Sequence, residues 1–270
     1  MQRAIGVIDS GVGGLTVLNE LVRQLPREKF IYFGDTLRSP YGSKSREEVQ
    51  HYVFGVVKFL KTKIIKCLII ACNTATAYVY KELKRVLSIP VIGVIKPGAR
   101  AAIKTTKNKN IGIIGTEGTI NSGAYVKALT EIDPSVNVYP LACPTFVPMI
   151  ESGIIKGKQV QDTVSKALKS YKYTNIDTLI LGCTHYPIIK ESIQNLFGNR
   201  IRVVSSAEET AKETSKLLDV LDLLESNITT KRSEHKFYTS GNLNQFAKLT
   251  KIIFQNEIDH IEKYKSQYNI

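Results

Sequence analysis

Short runs of aliphatic and β-branched residues alternate along this 270-residue chain with longer stretches that mix apolar and charged positions. The short runs read as strands at 4–8, 29–34, 67–71, 91–94, 110–115, 137–140, 178–181 and 202–204. Between and beyond them, helices are predicted at 14–25, 45–63, 75–87, 98–105, 119–131, 158–169, 188–196 and 207–224. A charged, turn-rich stretch at 226–234 precedes one more strand at 235–239 and a closing helix at 242–254. Strand and helix in alternation predict an α/β fold, a mostly parallel sheet with helices on both faces.

The pattern repeats. Ile5-Gly6-Val7-Ile8-Asp9-Ser10-Gly11 resembles Ile111-Gly112-Ile113-Ile114-Gly115-Thr116-Glu117, 106 positions on. Ile89-Pro90-Val91-Ile92-Gly93-Val94 resembles Ile201-Arg202-Val203-Val204-Ser205-Ser206, 112 positions on. Two similar lobes related by a pseudo-twofold axis are therefore expected, each a mostly parallel sheet, with the active site between them. The seam falls at Ile95-Lys96-Pro97-Gly98, where Pro and Gly interrupt the strand-like run. The second repeat ends near Ser206 and the residues beyond it have no counterpart, so the C-terminal segment is expected to cross back. The lobes then comprise 1–96 with 208–270, and 97–207.

Cysteine sits at the same point in both copies. Cys72 follows the run Cys67-Leu68-Ile69-Ile70-Ala71 and Cys183 follows Leu179-Ile180-Leu181-Gly182, 111 positions apart. The carboxyl edge of an open α/β sheet is where ligands bind. Residues after each cysteine are suited to begin a helix, whose dipole and free N–H groups favour thiolate and lower a cysteine pKa from about 8.5. Cys67, inside an apolar strand, and Cys143, before Pro144, read as small buried hydrophobes. Two thiols flanking one carbon from opposite faces can act as base and acid and invert it. Thiol redox chemistry is the competing enzymatic reading, and needs Cα atoms within about 7 Å.

Composition narrows the class. The chain is 43% hydrophobic, enough for a sizeable core. No leader-like segment or membrane-length apolar run is visible, and four cysteines without a CxxC pair suit a reducing compartment. A soluble cytoplasmic protein is expected. The net charge of +13 suggests nucleic acid, but the lysines are scattered (Lys58, Lys61, Lys63, Lys81, Lys104) and no nucleic-acid-binding motif accompanies them. The charge reads as a solvated surface that helps gather an anionic substrate. A non-catalytic amino-acid sensor or nucleic-acid partner is the alternative of a different class.

Other residues converge on strand ends. Asp9-Ser10-Gly11 closes the first strand, where Asp9 is either an ammonium partner or a helix cap. Pro40-Tyr41-Gly42-Ser43 reads as an exposed turn offering N–H groups and a phenol. Thr116 and Thr119 frame a helix start that an anion can approach, or simply cap it. His185, two residues past Cys183, can assist proton transfer there. Glu151, before Ser152-Gly153, reads as surface.

Several of these motifs occur together in one known order: Asp9-Ser10-Gly11-Val12-Gly13-Gly14, Gly34-Asp35-Thr36, Pro40-Tyr41-Gly42, Cys72-Asn73-Thr74-Ala75-Thr76-Ala77, Gly115-Thr116 with Gly118-Thr119, and Gly182-Cys183-Thr184-His185-Tyr186-Pro187. The chain thereby resembles, over nearly its whole length, the glutamate racemases of the cofactor-independent aspartate/glutamate racemase superfamily. It departs from the usual pattern at Leu37, Ser39, Ser43 and Lys96. The resemblance implies that Cys72 deprotonates D-glutamate and Cys183 L-glutamate, with Asp9, Glu151 and His185 assisting. It implies substrate binding by Asp9, Ser10, Tyr41, Gly42, Asn73, Thr74, Thr116, Thr119, Thr184 and His185. It further implies no cofactor and no metal, a homodimer, and a product used in peptidoglycan synthesis for the cell wall. An aspartate racemase would keep both thiols and hold a shorter side chain.

Overall fold

The computed structural model describes residues 3–226, 234–255, 258 and 260–264. The turn-rich stretch expected at 226–234 lies, from 227 to 233, outside the described residues. The elements run β1 (Ile5–Asp9), α1 (Leu15–Gln24), β2 (Phe30–Gly34), α2 (Arg46–Thr62), β3 (Cys67–Ile70), α3 (Asn73–Val86), β4 (Val91–Gly93) and α4 (Ile95–Thr105). They continue with β5 (Asn110–Gly115), α5 (Glu117–Asn121), α6 (Ala124–Ile132), β6 (Asn137–Ala142), α7 (Phe146–Glu151), α8 (Lys158–Ala167), β7 (Thr178–Gly182), α9 (Lys190–Phe197) and β8 (Arg202–Ser205). The chain closes with α10 (Ala207–Val220), β9 (Lys236–Thr239), α11 (Leu243–Ile253) and β10 (His260–Lys263).

Two sheets form, in the orders β10-β9-β2-β1-β3-β4 and β6-β5-β7-β8. Every pairing in both is parallel. Helices cover both faces, which is why β1, β2, β3 and β7 are buried throughout and read as unbroken apolar runs. Val7 and Ile69 pack on one side of the first sheet with Leu15, Leu18 and Leu21 of α1 and Ala211 and Leu218 of α10. Ile8 and Ile70 pack on the other with α2 and α3. Each of those three α1 leucines is fully buried, an effect worth about 1.5–3 kcal/mol apiece.

Three differences from the sequence reading have local causes. The helix expected at 119–131 is broken into α5 and α6 because Gly123 turns left-handed, at φ 64°. Helix α4 starts at Ile95 instead of residue 98, since Pro97 falls in its first turn, where no intrahelical N–H bond is lost. Strand β10 has no sequence signal: His260-Ile261-Glu262-Lys263 is mostly exposed and polar, an edge strand without an apolar run.

Register brings the chemistry to one edge. Asp9 lies opposite Gly34 and Ile8 opposite Ile70, so the chain beyond β1 and β3 emerges side by side. In the second sheet Gly115 lies opposite Gly182, which sets Thr116 beside Cys183.

Candidate active site

These strand ends surround a small cleft. The first sheet contributes Ser10, Pro40, Tyr41, Gly42, Cys72, Asn73 and Thr74 to its walls; the second contributes Thr116, Thr119, Val147, Gly182, Cys183, Thr184 and His185. Both thiols are buried, Cys72 at 6% and Cys183 at 7% exposure. Cys67 and Cys143 are buried too and line no part of the cleft.

Cys72 is the N-cap of α3, and its Sγ accepts the Ala75 N–H at 3.4 Å. A helix start alone would lower its pKa. Instead burial, reinforced by the negative charge of Asp9, pushes the thiol up to about 12 against the Ala75 and Ser10 hydrogen bonds. Loss of water around a thiolate outweighs one backbone donor. Behind the thiol lies a second, very small hollow bounded by Ile8, Asp9, Tyr41, Val53, Val56 and Ala75.

The Cys183 corner departs from its counterpart. No α-helix begins there: a turn leads into a single 3-10 stretch, Tyr186–Ile189, and α9 starts only at Lys190. The expected helix N-terminus is replaced by a side chain, His185, whose Nδ1 lies 3.8 Å from Cys183 Sγ. Its Nε2 is 3.1 Å from Glu151 Oε1, and Ser39 Oγ donates to the same oxygen at 2.7 Å. Burial pulls the imidazole pKa down, but the hydrogen bonds to Cys183 and Glu151 and their charges outweigh it and raise it to about 10. Burial pushes Glu151 up, and contacts with His185 and Ser39 override that, leaving its pKa below the usual value. The pair is therefore imidazolium and carboxylate at neutral pH. Glu151, read from sequence as surface, is three-quarters buried at its side chain.

Asp9 is buried at 3% exposure. Its Oδ2 accepts the Gly11 N–H at 3.0 Å and its Oδ1 accepts Thr184 Oγ1 at 3.1 Å, a bond between the two sheets. Burial raises its pKa, opposed by the His185 charge and by these donors. Gly14, not Asp9, is the N-cap residue of α1.

Three hydroxyls close a triangle across the cleft: Thr74 to Thr116 at 2.9 Å, Thr74 to Thr119 at 3.0 Å, and Thr116 to Thr119 at 3.1 Å. Each hydroxyl can rotate to donate to an anion. Tyr41 lines the cleft, yet its phenol donates to Asp35 Oδ2 at 2.5 Å, so its main chain and that of Gly42 are what it leaves for a ligand. Asp35 is fully buried and also accepts from Arg38 Nε and, at 2.6 Å, from Ser240 Oγ, which anchors the Tyr41 turn to the segment after β9. Sequence reading assigns no role to Asp35, Ser39 or Val147. Asp35 follows its strand much as Asp9 ends β1, a positional parallel that marks it; Ser39 and Val147 carry no such signal.

The arrangement is two thiols, one imidazole and a set of neutral donors lining a small cleft, with the carboxylates of Asp9 and Glu151 behind that lining, bonded to Thr184 and His185. The family model for Asp/Glu/Hydantoin racemase matches residues 5–214. A glutamate racemase from Oceanobacillus iheyensis is 56% identical over 256 residues, covering 94% of this chain and 93% of that protein. Among solved structures, glutamate racemase isoform RacE1 from Bacillus anthracis superposes with a TM-score of 0.93 at 46% identity, covering 97% of each chain. Glutamate racemase from Francisella tularensis in complex with D-glutamate gives 0.90 at 38% identity and 98% of each. Matched along most of its length in both sequence and fold, the chain belongs to the Asp/Glu/hydantoin racemase family.

Proposed function

We propose that this chain interconverts L- and D-glutamate by moving a proton between Cys72 and Cys183 across the α-carbon. The observation that carries the reading is that two buried thiols, one from the end of each sheet, line a single cleft. Cys72 as thiolate takes the α-proton of D-glutamate while Cys183 delivers one to the opposite face, and the roles exchange in the other direction. His185 and Glu151 serve the Cys183 side, and Asp9 serves the Cys72 side. Burial and the Asp9 charge favour the neutral Cys72 thiol, and a substrate ammonium beside it favours its thiolate. The Thr74, Thr116 and Thr119 hydroxyls, Asn73, Ser10, Thr184 and the main chain at Tyr41 and Gly42 hold the two carboxylates and the ammonium.

The wider setting comes from the family resemblance: a cytoplasmic homodimer whose D-glutamate enters peptidoglycan. No helix among the described residues is long and apolar enough to cross a membrane. We divide the lobes at 1–96 with 208–270 and 97–207, supported by the packing of α10 on α1 and of β9 on β2.

The test is purified protein with either enantiomer in D₂O, without added cofactor, followed by circular dichroism and by NMR of the α-proton. Racemisation with deuterium entering the product is expected. Cys72→Ala and Cys183→Ala should each abolish it without unfolding the protein. Near-normal turnover in either variant overturns the two-thiol mechanism; glutamate binding without turnover in the unmodified protein points to a sensor.

A further inference from the structure

Asn73 is the first residue of α3, adjacent to Cys72, buried at 3% exposure and part of the cleft wall. Its amide has an acceptor end and a donor end, and which of them faces the cleft decides whether an anion is attracted or repelled. The selector comes from the other sheet's layer. Tyr125 of α6, itself 2% exposed, places its hydroxyl 2.7 Å from Asn73 Oδ1 as a donor.

The ring is fitted from two further sides. A methyl group at Gly98 of α4 would come within 2.9 Å of the Tyr125 hydroxyl, and one at Gly182, next to Cys183, within 3.2 Å of the ring. Burial, then the charge of Cys183, pushes the phenol above its ordinary pKa, so it keeps its proton at working pH.

We propose that Tyr125 is a positioning residue: its hydroxyl occupies Asn73 Oδ1 and thereby turns the Asn73 NH₂ toward the substrate carboxylate. The inference rests on the racemase reading above. With the phenol in place, the amide presents two donors to the cleft. Without it, the amide is free to rotate and set its carbonyl oxygen against the anion. Because Tyr125 belongs to the layer beside the second sheet and Asn73 follows a strand of the first, the amide is held only while those two layers stay packed together.

The test is a double-mutant cycle on the full chain. Tyr125→Phe keeps the ring and removes only the hydroxyl. It should raise KM for both enantiomers about tenfold, the worth of one hydrogen bond, with kcat within about threefold because neither thiol is touched. Asn73→Ala should raise KM at least as much. The double variant Asn73→Ala/Tyr125→Phe should match Asn73→Ala alone, since Tyr125 then has no amide to orient. Thermal melts of all four proteins separate this from a packing loss, which would lower Tm in both backgrounds alike. Additive KM effects, or an unchanged KM in Tyr125→Phe, overturn the proposal. If the unmodified protein binds glutamate without turning it over, the racemase reading fails, and the same cycle read in Kd by calorimetry still decides the role of Tyr125. A protein that neither turns over nor binds glutamate overturns both.

Discussion

Replacing Gly42 with alanine tests how closely the two sides of the cleft must meet. The Gly42 backbone lies outside the left-handed region, so alanine adds no torsional strain there; what it adds is volume. Its Cβ would stand 2.2 Å from Thr116 Cβ and 2.6 Å from both Thr116 Cγ2 and Oγ1. Relaxed carbon contacts sit at about 3.5–4.0 Å, so the turn and Thr116 must part by roughly 1.3–1.8 Å. Gly42 and Thr74 belong to one side, Thr116 and Thr119 to the other, so parting stretches the 2.9 and 3.0 Å hydroxyl contacts of Thr74 toward 4 Å and breaks them. Two hydrogen bonds at about 0.5–1.5 kcal/mol each give about 1–3 kcal/mol, or about 5- to 150-fold in KM. The expected signature in a circular-dichroism racemisation assay is a raised KM in both directions. Tm should fall little, because the sides separate without either core being disturbed. An alanine variant with KM within twofold of the unmodified protein refutes the argument. So does one that loses stability heavily while its folded fraction keeps normal KM.

Buried charge leads to two further outcomes. The His185 pKa is about 10 in the folded protein against an ordinary 6.5. A raised folded pKa stabilises fully below about pH 6.5 and loses that contribution as pH climbs through about 10, so Tm should decline across this window. Glu151→Gln removes one of the anions that raise it and should move the decline to lower pH; melts that superimpose at every pH would sink the assignment. Lys66 and Glu28 form an ion pair at 2.6 Å with side chains only 6% and 2% exposed, and Lys66 Nζ also donates to the Leu223 carbonyl. Lys66→Met strands the Glu28 charge and should cost about 3–5 kcal/mol, seen as a lowered denaturation midpoint in urea; Lys66→Met/Glu28→Leu should recover most of it. A single variant as stable as the unmodified protein contradicts that account.

The elements that sequence revealed best are those whose signal is local. Parallel strands covered on both faces must be apolar on both, so 67–71 and 178–181 stand out as runs, and the thiols beyond them are found by position. What residue patterns alone do not reveal depends on encounters across the chain. Glu151 looks like any acidic residue at a short helix end and is singled out only by the family resemblance; its meeting with His185, 34 residues away, puts it beside the cleft. The Cys72 thiol obeys its helix cap less than the Asp9 charge and the loss of water, neither of which adjacent residues announce. The Tyr41 phenol was visible as a candidate ligand group, but its bond to Asp35 exists only once the 3-10 turn at Tyr41–Ser43 has formed.

The two cysteine corners begin as copies and end in different surroundings. A base and an acid must face the same α-carbon at the same moment, so one thiol must be ionised while the other keeps its proton, and unequal surroundings bias which is which. Here Cys72 is buried and faces the Asp9 carboxylate, both of which favour its neutral form. Cys183 instead faces the ring of His185, held as a cation by Glu151. In the proposed reaction Cys72 is therefore the proton donor of the L-to-D direction. The reverse direction needs that proton to leave, and we propose Asp9, buried and with its own pKa raised, as the group that receives it. The duplicated fold supplies the matched positions of the two sulfurs; the residues after each one, Asn73 in one copy and Thr184-His185 in the other, make their surroundings unequal, and the proposed two-thiol reaction draws on that inequality.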